Sequence, residues 1–186
     1  ESALLRSKKN GKNRLSFFSS EDYQDNTLKI ELQKELRESI RNNFEGFELY
    51  YQPQVTSNGY CLRGAEALLR YHSKKRGFMS PVVFIPLLEQ TEMIVPVGQW
   101  VMKQAFTQCA KWRRKYGDFN ISVNVSYIQL KDRTIIQTVL DTARDSGIPA
   151  SAVTLEVTES MQLQDYNYFN SMFYCWKEKG MQISID

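Results

Sequence analysis

Four side chains with oxygen atoms that can bind a metal lie near the ends of predicted strands: Glu66, Asn124, Glu156 and Asp186. The last three follow one another at intervals of about 30 residues, the length of one βαβ unit. The interval from Glu66 to Asn124 is longer, because two predicted helices lie between their strands. In a β/α barrel the strands end at one rim, where catalytic groups lie. We therefore expect these four side chains to converge.

Three carboxylates and one carboxamide at one rim would form a net-negative site built only of oxygen ligands. Such a site suits a hard divalent cation, Mg²⁺ or Mn²⁺, whereas zinc prefers histidine or cysteine. A bound cation neutralises phosphate oxygens and lowers the pKa of bound water, which favours phosphoester hydrolysis. Arg70, four residues after Glu66, could clasp a phosphate. The alternative is that these carboxylates only cap helices or face solvent.

Two strands joined by a tight turn are predicted to carry Glu66. The segments FELYYQPQV and CLRGAEALL have the aromatic and aliphatic content of strands, and Ser57-Asn58-Gly59 between them is a hairpin signal. The first two strands are therefore predicted to be antiparallel. An apolar stripe on a charged background, over residues 27–44, predicts an amphipathic helix before them.

Helices and strands are predicted to alternate through the rest of the chain. Apolar periodicity, caps and breakers predict helices over 80–89, 97–116, 132–145 and 165–179. The strands between and after them are ISVNVS, VTLEVTE and MQISID. This order predicts right-handed βαβ units and a parallel sheet, which is an α/β fold.

Composition narrows the class of protein. Hydrophobic residues make up 42% and charged residues 24% of the 186, which is enough apolar material for a core. The net charge of +3 does not favour a nucleic-acid partner. Three cysteines without a CxxC pair and a single histidine argue against a disulfide framework or a zinc site, and favour a reducing, cytoplasmic location. No apolar run approaches the roughly 18 residues of a membrane span, so we expect no membrane contact from this segment.

The segment GAEALLRY resembles the signature of the EAL domain, the cyclic di-GMP phosphodiesterase family. Further segments resemble that family's motifs in the same order along the chain: Tyr51-Gln52-Pro53; Ser80-Pro81 through Phe84-Ile85-Pro86 to Glu89; Asn124-Val125-Ser126 with Gln129-Leu130; Glu156-Val157-Thr158-Glu159-Ser160; and Asp186, like the first aspartate of D-D-F-G-T-G. Ordered motifs over residues 47–186 are far more specific than E-A-L alone.

The resemblance implies a modified TIM barrel with an antiparallel first strand, of which this chain holds the first half. It implies hydrolysis of cyclic di-GMP to linear pGpG with two divalent cations, Mg²⁺ or Mn²⁺. The roles that it implies are metal ligation by Glu66, Asn124, Glu156 and Asp186, substrate contacts by Gln52 and Arg70, and a catalytic part for Glu66 and the supporting carboxylate Glu159.

The N-terminal segment has a resemblance of its own. Ala3-Leu4-Leu5 and Gly11-Lys12-Asn13-Arg14 are similar to the last helix and turn of a GGDEF domain, the diguanylate cyclase family. We predict a GGDEF-like tail over 1–20, a linker helix over 21–46 and the N-terminal portion of an EAL domain over 47–186. The family's catalytic lysine and remaining ligands follow the position of Asp186. We therefore expect the 186 residues alone to be inactive, and the parent protein to be the enzyme.

Two other classes of function remain open from the sequence. A non-catalytic receptor would bind cyclic di-GMP without cleaving it; such members of the family usually lose metal ligands, whereas this chain keeps each one that it is long enough to show. A pure scaffold is disfavoured, because clustered carboxylates without a purpose are costly.

A homodimer that forms through the 27–44 helix is a further alternative, although a linker helix packed on the barrel fits the short length of this helix better.

Overall fold

The computed structural model describes residues 20–57, 59, 61–157 and 166–185, which form six strands, six helices and one 3₁₀ turn. The strands are β1 (Phe47–Val55), β2 (Leu62–Ser73), β3 (Gly77–Met79), β4 (Asn120–Val125), β5 (Val153–Val157) and β6 (Gln182–Ile185). The helices are α1 (Ser20–Arg41), α2 (Pro81–Gln90), α3 (Ile94–Tyr116), α4 (Tyr127–Leu130), α5 (Ile135–Ser146) and α6 (Tyr166–Glu178), and the 3₁₀ turn is Ala150–Ala152.

The strands form one mixed sheet in the order β1-β2-β4-β5-β6, with β3 paired to β2. β1 runs antiparallel to β2, while β2, β4, β5 and β6 are mutually parallel. The predicted α/β fold with an antiparallel first strand is confirmed. The described strands form an open sheet rather than a closed barrel.

The two faces of the sheet have opposite character. The odd-numbered residues of the central strands are at most 1% exposed and pack in the core with α3 and α5: Ile121, Val123, Val125, Val153, Leu155 and Val157. Because side chains alternate along a strand, the even-numbered neighbours project from the other face. Those neighbours are polar: Ser122, Asn124, Thr154 and Glu156.

The linker helix α1 packs against the sheet. Leu32 and Leu36 are buried, and the Glu35 carboxylate accepts a hydrogen bond of 2.9 Å from the Ser73 hydroxyl at the end of β2. The helix ends at Arg41 rather than at the predicted residue 44. The cause is the backbone of the next turn, where Asn43 and Phe44 have positive φ angles of 57° and 61°.

Three short elements were not predicted from the sequence: β3, α4 and the 3₁₀ turn. All three are too short to show a repeat of hydrophobic residues. The segment predicted as a GGDEF-like tail, residues 1–20, lies outside the described residues except for Ser20. In the part of the chain that is described, no helix combines the length and the apolar character needed to cross a membrane.

Candidate active site

Glu66 and Asn124 meet on the polar face of the sheet. Glu66 lies opposite Ser122 in the parallel pairing of β2 with β4, so Asn124 lies two residues further along on the same face. The Asn124 amide Nδ2 donates a hydrogen bond of 2.7 Å to Glu66 Oε1. The predicted convergence of these two side chains is therefore present in the structure.

The sequence predicted Glu66 near the end of its strand, but the structure places it in the first half of β2. β2 continues for seven more residues, to Ser73. Its parallel pairing with β4 stops at Ala67, and the rest of β2 pairs with β1 and β3 instead. Glu66 thus lies one residue before the end of this parallel pairing, which places its carboxylate near the rim of the parallel part of the sheet.

Glu156 stands beside Asn124 on the next strand. The two residues are register partners in the parallel pairing of β4 with β5, and their strands are about 4.8 Å apart. Because register partners project from the same face, the half-buried Glu156 side chain faces the same side as Glu66. The three oxygen-bearing side chains thus follow one another across three adjacent strands.

Gln52 flanks Glu66 on the opposite side. It lies in β1 and is the register partner of Glu66 in the antiparallel pairing, which brings the two Cβ atoms to about 5 Å. Its side chain is exposed. An amide at this position can donate hydrogen bonds to a ligand that approaches Glu66 from solvent.

Arg70 lies four residues after Glu66 on β2, about 13 Å along the strand and on the same face. Its guanidinium lies 5.5 Å from the centre of the Tyr50 ring, and Nη1 donates a hydrogen bond of 2.9 Å to the Leu69 carbonyl. These contacts hold the planar group in one orientation, which favours bidentate recognition of a phosphate.

A cavity of about 330 Å³ opens between this rim and helices α2 and α3. Its polar lining includes Glu66, Arg70, Asn124 and Glu89, and its apolar lining includes Ile85, Ile94, Val97 and Val101. A larger opening, of about 640 Å³, lies between α6 and the edge strand β6. It is lined by none of the predicted site residues that the structure describes. Glu66, Arg70 and Asn124 line the cavity of about 330 Å³, whereas Gln52 and Glu156 do not, so this cavity forms one side of the candidate site.

Part of the lining of this cavity is a hydrogen-bonded group to which the sequence assigned no role. The Ser126 hydroxyl, just after β4, donates a hydrogen bond of 2.6 Å to Glu89 Oε1 on α2. Ser126 also begins the short helix α4 through a capping box with Gln129. The Ser-x-x-Gln spacing is the sequence signal of such a box, but it does not reveal the contact with Glu89.

Glu159 and Asp186 lie outside the described residues, so their predicted positions stay predictions. Among the residues that are described, no group of three or more histidine, cysteine, aspartate or glutamate side chains could hold a metal.

Known proteins with similar sequences share a family with this chain. The EAL domain family model matches residues 33–186. The cyclic di-GMP phosphodiesterase PdeR of Escherichia coli is 30% identical over 186 residues, covering 100% of this chain and 28% of PdeR. The cyclic di-GMP phosphodiesterase PA2567 of Pseudomonas aeruginosa is 36% identical over 143 residues, covering 76% of this chain and 24% of PA2567. The chain spans about a quarter of the length of these relatives.

Solved structures agree with the sequence comparison. The PaMucR phosphodiesterase in a c-di-GMP complex superposes with a TM-score of 0.78 at 32% identity, over 84% of this chain and 63% of that one. The FimX EAL domain of Xanthomonas citri, at 20% identity and a TM-score of 0.68, covers 87% of this chain and 62% of its own, and supports the fold. Since the family model covers most of the sequence and the sheet has the same architecture, the chain belongs to the EAL domain family.

Proposed function

We propose that the protein containing this chain hydrolyses cyclic di-GMP to linear pGpG in a reaction that depends on divalent cations. The observation that carries the proposal is the arrangement of Glu66, Asn124 and Glu156 on one face of three adjacent strands, with Glu66 and Asn124 in contact at 2.7 Å. The relatives support the same proposal, because PdeR and PA2567 are named cyclic di-GMP phosphodiesterases and the similar PaMucR structure is a c-di-GMP complex.

The chemistry of these donors fits a hard divalent cation. Carboxylate and carboxamide oxygens are the ligands that Mg²⁺ and Mn²⁺ prefer, and no histidine or cysteine lines this cavity among the described residues. The residues proposed to hold two such cations are Glu66, Asn124, Glu156 and Asp186, with Glu159 as a supporting carboxylate. When bound, the cations would neutralise phosphate oxygens and favour ionisation of the attacking water.

The remaining proposed roles concern substrate position. Gln52, beside Glu66, is proposed to donate hydrogen bonds to the phosphodiester. Arg70, held against Tyr50, is proposed to clasp a phosphate of the bound dinucleotide. Both act by holding the scissile bond in one orientation at the rim, which lowers the entropy cost of the reaction.

The limits of the domain are also proposals. The bifunctional diguanylate cyclase and phosphodiesterase MucR of Pseudomonas aeruginosa aligns with 100% of this chain at 30% identity. We propose a GGDEF-like tail over 1–20, a linker segment over 21–46 and an EAL portion over 47–186; the name of MucR is compatible with a cyclase domain before the EAL portion, and the EAL family model begins at residue 33. A cytoplasmic site of action is likewise proposed from the sequence alone.

The test uses the full-length protein incubated with cyclic di-GMP and Mn²⁺, with pGpG measured by chromatography. Loss of a residue that only orients a metal ligand usually lowers activity by about 10–100-fold. Glu66→Ala removes a proposed ligand itself, so it should lower turnover by more than that. Glu178→Ala, an exposed carboxylate at the end of α6, is the control and should leave turnover unchanged. Undiminished turnover in Glu66→Ala would rule out its assigned role. Tight binding of cyclic di-GMP without turnover in the unaltered protein would favour a receptor instead.

A further inference from the structure

Glu89 lies near the end of α2 and lines the same cavity as Glu66 and Asn124. Its Oε1 accepts a hydrogen bond from the Ser126 hydroxyl at 2.6 Å, which is the short distance typical of a hydroxyl bound to an ionised carboxylate. Such bonds are about twice as strong as those between neutral groups. This one joins α2 to the chain that leaves β4.

Ser126 is held from three directions. Its hydroxyl donates to Glu89 and accepts a hydrogen bond of 3.3 Å from the Ile128 amide. Its own backbone amide donates a hydrogen bond of 3.1 Å to Gln129 Oε1. Since a hydroxyl has one proton to donate, donation to Glu89 leaves its lone pairs for the helix amide. The position of Ser126 therefore depends on both Glu89 and the capping box.

Gln129 is fixed in turn by close packing. Its side chain is 3% exposed and lies against Gly98 of α3, where an added Cβ would overlap the side-chain amide. The glycine thus leaves the space that the Gln129 amide occupies. Helices α2 and α3 together hold the first turn after β4, one through Glu89 and the other through Gly98.

Asn124 is only two residues before Ser126, at the end of the same strand. Only Val125 separates the two residues, so a displacement of the chain at Ser126 strains the end of β4 that carries Asn124, whose amide contacts the Glu66 carboxylate at 2.7 Å. We propose that Glu89 is a positioning residue: its hydrogen bond to Ser126 holds the end of β4 so that Asn124 and Glu66 present their oxygens to the same cation. This inference rests on the proposed function.

Two physical roles for Glu89 make different predictions. If Glu89 acts through its hydrogen bond, Glu89→Gln keeps an oxygen that accepts from Ser126 and preserves the site. If it acts through its negative charge, Glu89→Gln and Glu89→Ala weaken cation binding equally. The geometry favours the hydrogen bond, because Oε1 is engaged by Ser126.

The experiment measures Mn²⁺ alone binding to the full-length protein, by titration calorimetry, together with kcat and KM for cyclic di-GMP. Glu89→Ala should weaken Mn²⁺ binding by about tenfold or more, the usual effect of losing a group that orients a metal ligand. Glu89→Gln should stay within about threefold of the unaltered protein, since the accepting oxygen is retained. At saturating Mn²⁺, the KM of Glu89→Ala should match that of the unaltered protein. The control is Gln90→Ala, an exposed neighbour on α2, which should leave binding unchanged.

Asn124→Ala separates failure of this inference from failure of the proposed function. If Asn124→Ala leaves Mn²⁺ binding unchanged, the ligand assignment itself is wrong. If Asn124→Ala weakens binding but Glu89→Ala does not, the positioning role is overturned and the ligand assignment stands. Equal weakening by Glu89→Gln and Glu89→Ala would also overturn the role. A lower thermal midpoint of unfolding with unchanged Mn²⁺ affinity would likewise show that Glu89 only stabilises the fold.

Discussion

At the scale of single residues, the candidate site depends on a few contacts between side chains that are close in space but far apart in the sequence. Asn124 contacts Glu66 at 2.7 Å although 58 residues separate them. Ser126 contacts Glu89 at 2.6 Å across 37 residues. The first contact joins β4 to β2 and the second joins α2 to the residue that follows β4, so the site's geometry is set by packing between elements rather than by any local segment.

Gly98 offers a test of this packing. Gly98→Ala would place a Cβ inside contact distance of the buried Gln129 amide. We expect a net loss of about 1–3 kcal/mol in the free energy of unfolding, because overlap in a packed site outweighs alanine's higher helix propensity. Urea unfolding of the two proteins measures the difference. The double variant Gly98→Ala with Gln129→Ala should be more stable than additivity predicts, and strict additivity would contradict the proposed contact.

At the scale of elements, the linker helix α1 is joined to the strand that carries Glu66 and Arg70. The Ser39 hydroxyl and the Tyr71 hydroxyl form a buried hydrogen bond of 2.9 Å. Tyr71 is 1% exposed and neighbours Arg70 on β2, with its side chain on the opposite face. Strand β2 therefore both contacts α1, through Tyr71, and carries Arg70, the residue proposed to bind the substrate.

The Ser39–Tyr71 bond predicts a specific effect on stability. Tyr71→Phe removes one partner and leaves the Ser39 hydroxyl buried, which should cost about 1–3 kcal/mol of unfolding free energy. Removing both hydroxyls, with Ser39→Ala and Tyr71→Phe together, should recover part of that loss. Chemical denaturation of the three proteins measures both effects. If Tyr71→Phe proves as stable as the unaltered protein, the bond makes no net contribution.

The order of elements could be predicted from the sequence because it depends on local patterns. Hydrophobic periodicity and caps predicted α2, α3, α5 and α6, and β-branched runs predicted β4, β5 and β6 to within a few residues. The candidate residues Glu66, Asn124 and Glu156 came from strand-end positions and the family motifs. The end of α1 at Arg41 was missed because two residues with positive φ stop the helix without a glycine or proline signal.

The supporting contacts of the site could not be predicted in the same way. The partner of Ser126 is on α2, and nothing local to either segment indicates that they meet. Leu28 belongs to the predicted apolar stripe of α1, yet it is 50% exposed, because an apolar stripe does not show which of its residues another element covers. Contacts between distant segments require the assembled fold.

At the scale of the whole molecule, several buried groups resist ionisation. Burial raises the pKa of the Cys109 thiol from 9.0 to about 11 and the pKa of the Tyr51 hydroxyl from 10.0 to about 12. Burial also raises the pKa of Tyr71. Cys109 and Tyr71 lie in the core and Tyr51 is partly buried against it, so the folded state keeps these groups protonated at pH values where an unfolded chain would begin to lose the protons.

The sign of this linkage predicts alkaline destabilisation. Because the folded pKa values are higher than the unfolded ones, the stability from these groups is fully present below about pH 9 and is lost as the pH rises towards 11–12. Urea unfolding at several pH values between 7.5 and 11 should show a falling free energy of unfolding. Cys109→Ala and Tyr51→Phe should each make that fall less steep, and an unchanged slope in both variants would contradict the assignment.

The proposed function requires Glu66, Asn124 and Glu156 to converge on a divalent cation at the rim of the sheet. A crystal structure of the full-length protein soaked with Mn²⁺, with anomalous scattering recorded, tests this convergence most directly. We predict an anomalous peak within about 2.2 Å of oxygens from Glu66 and Asn124, with Glu156 contributing to the same cluster. Manganese bound elsewhere on the protein, with these three side chains making no contact to it, would contradict the account.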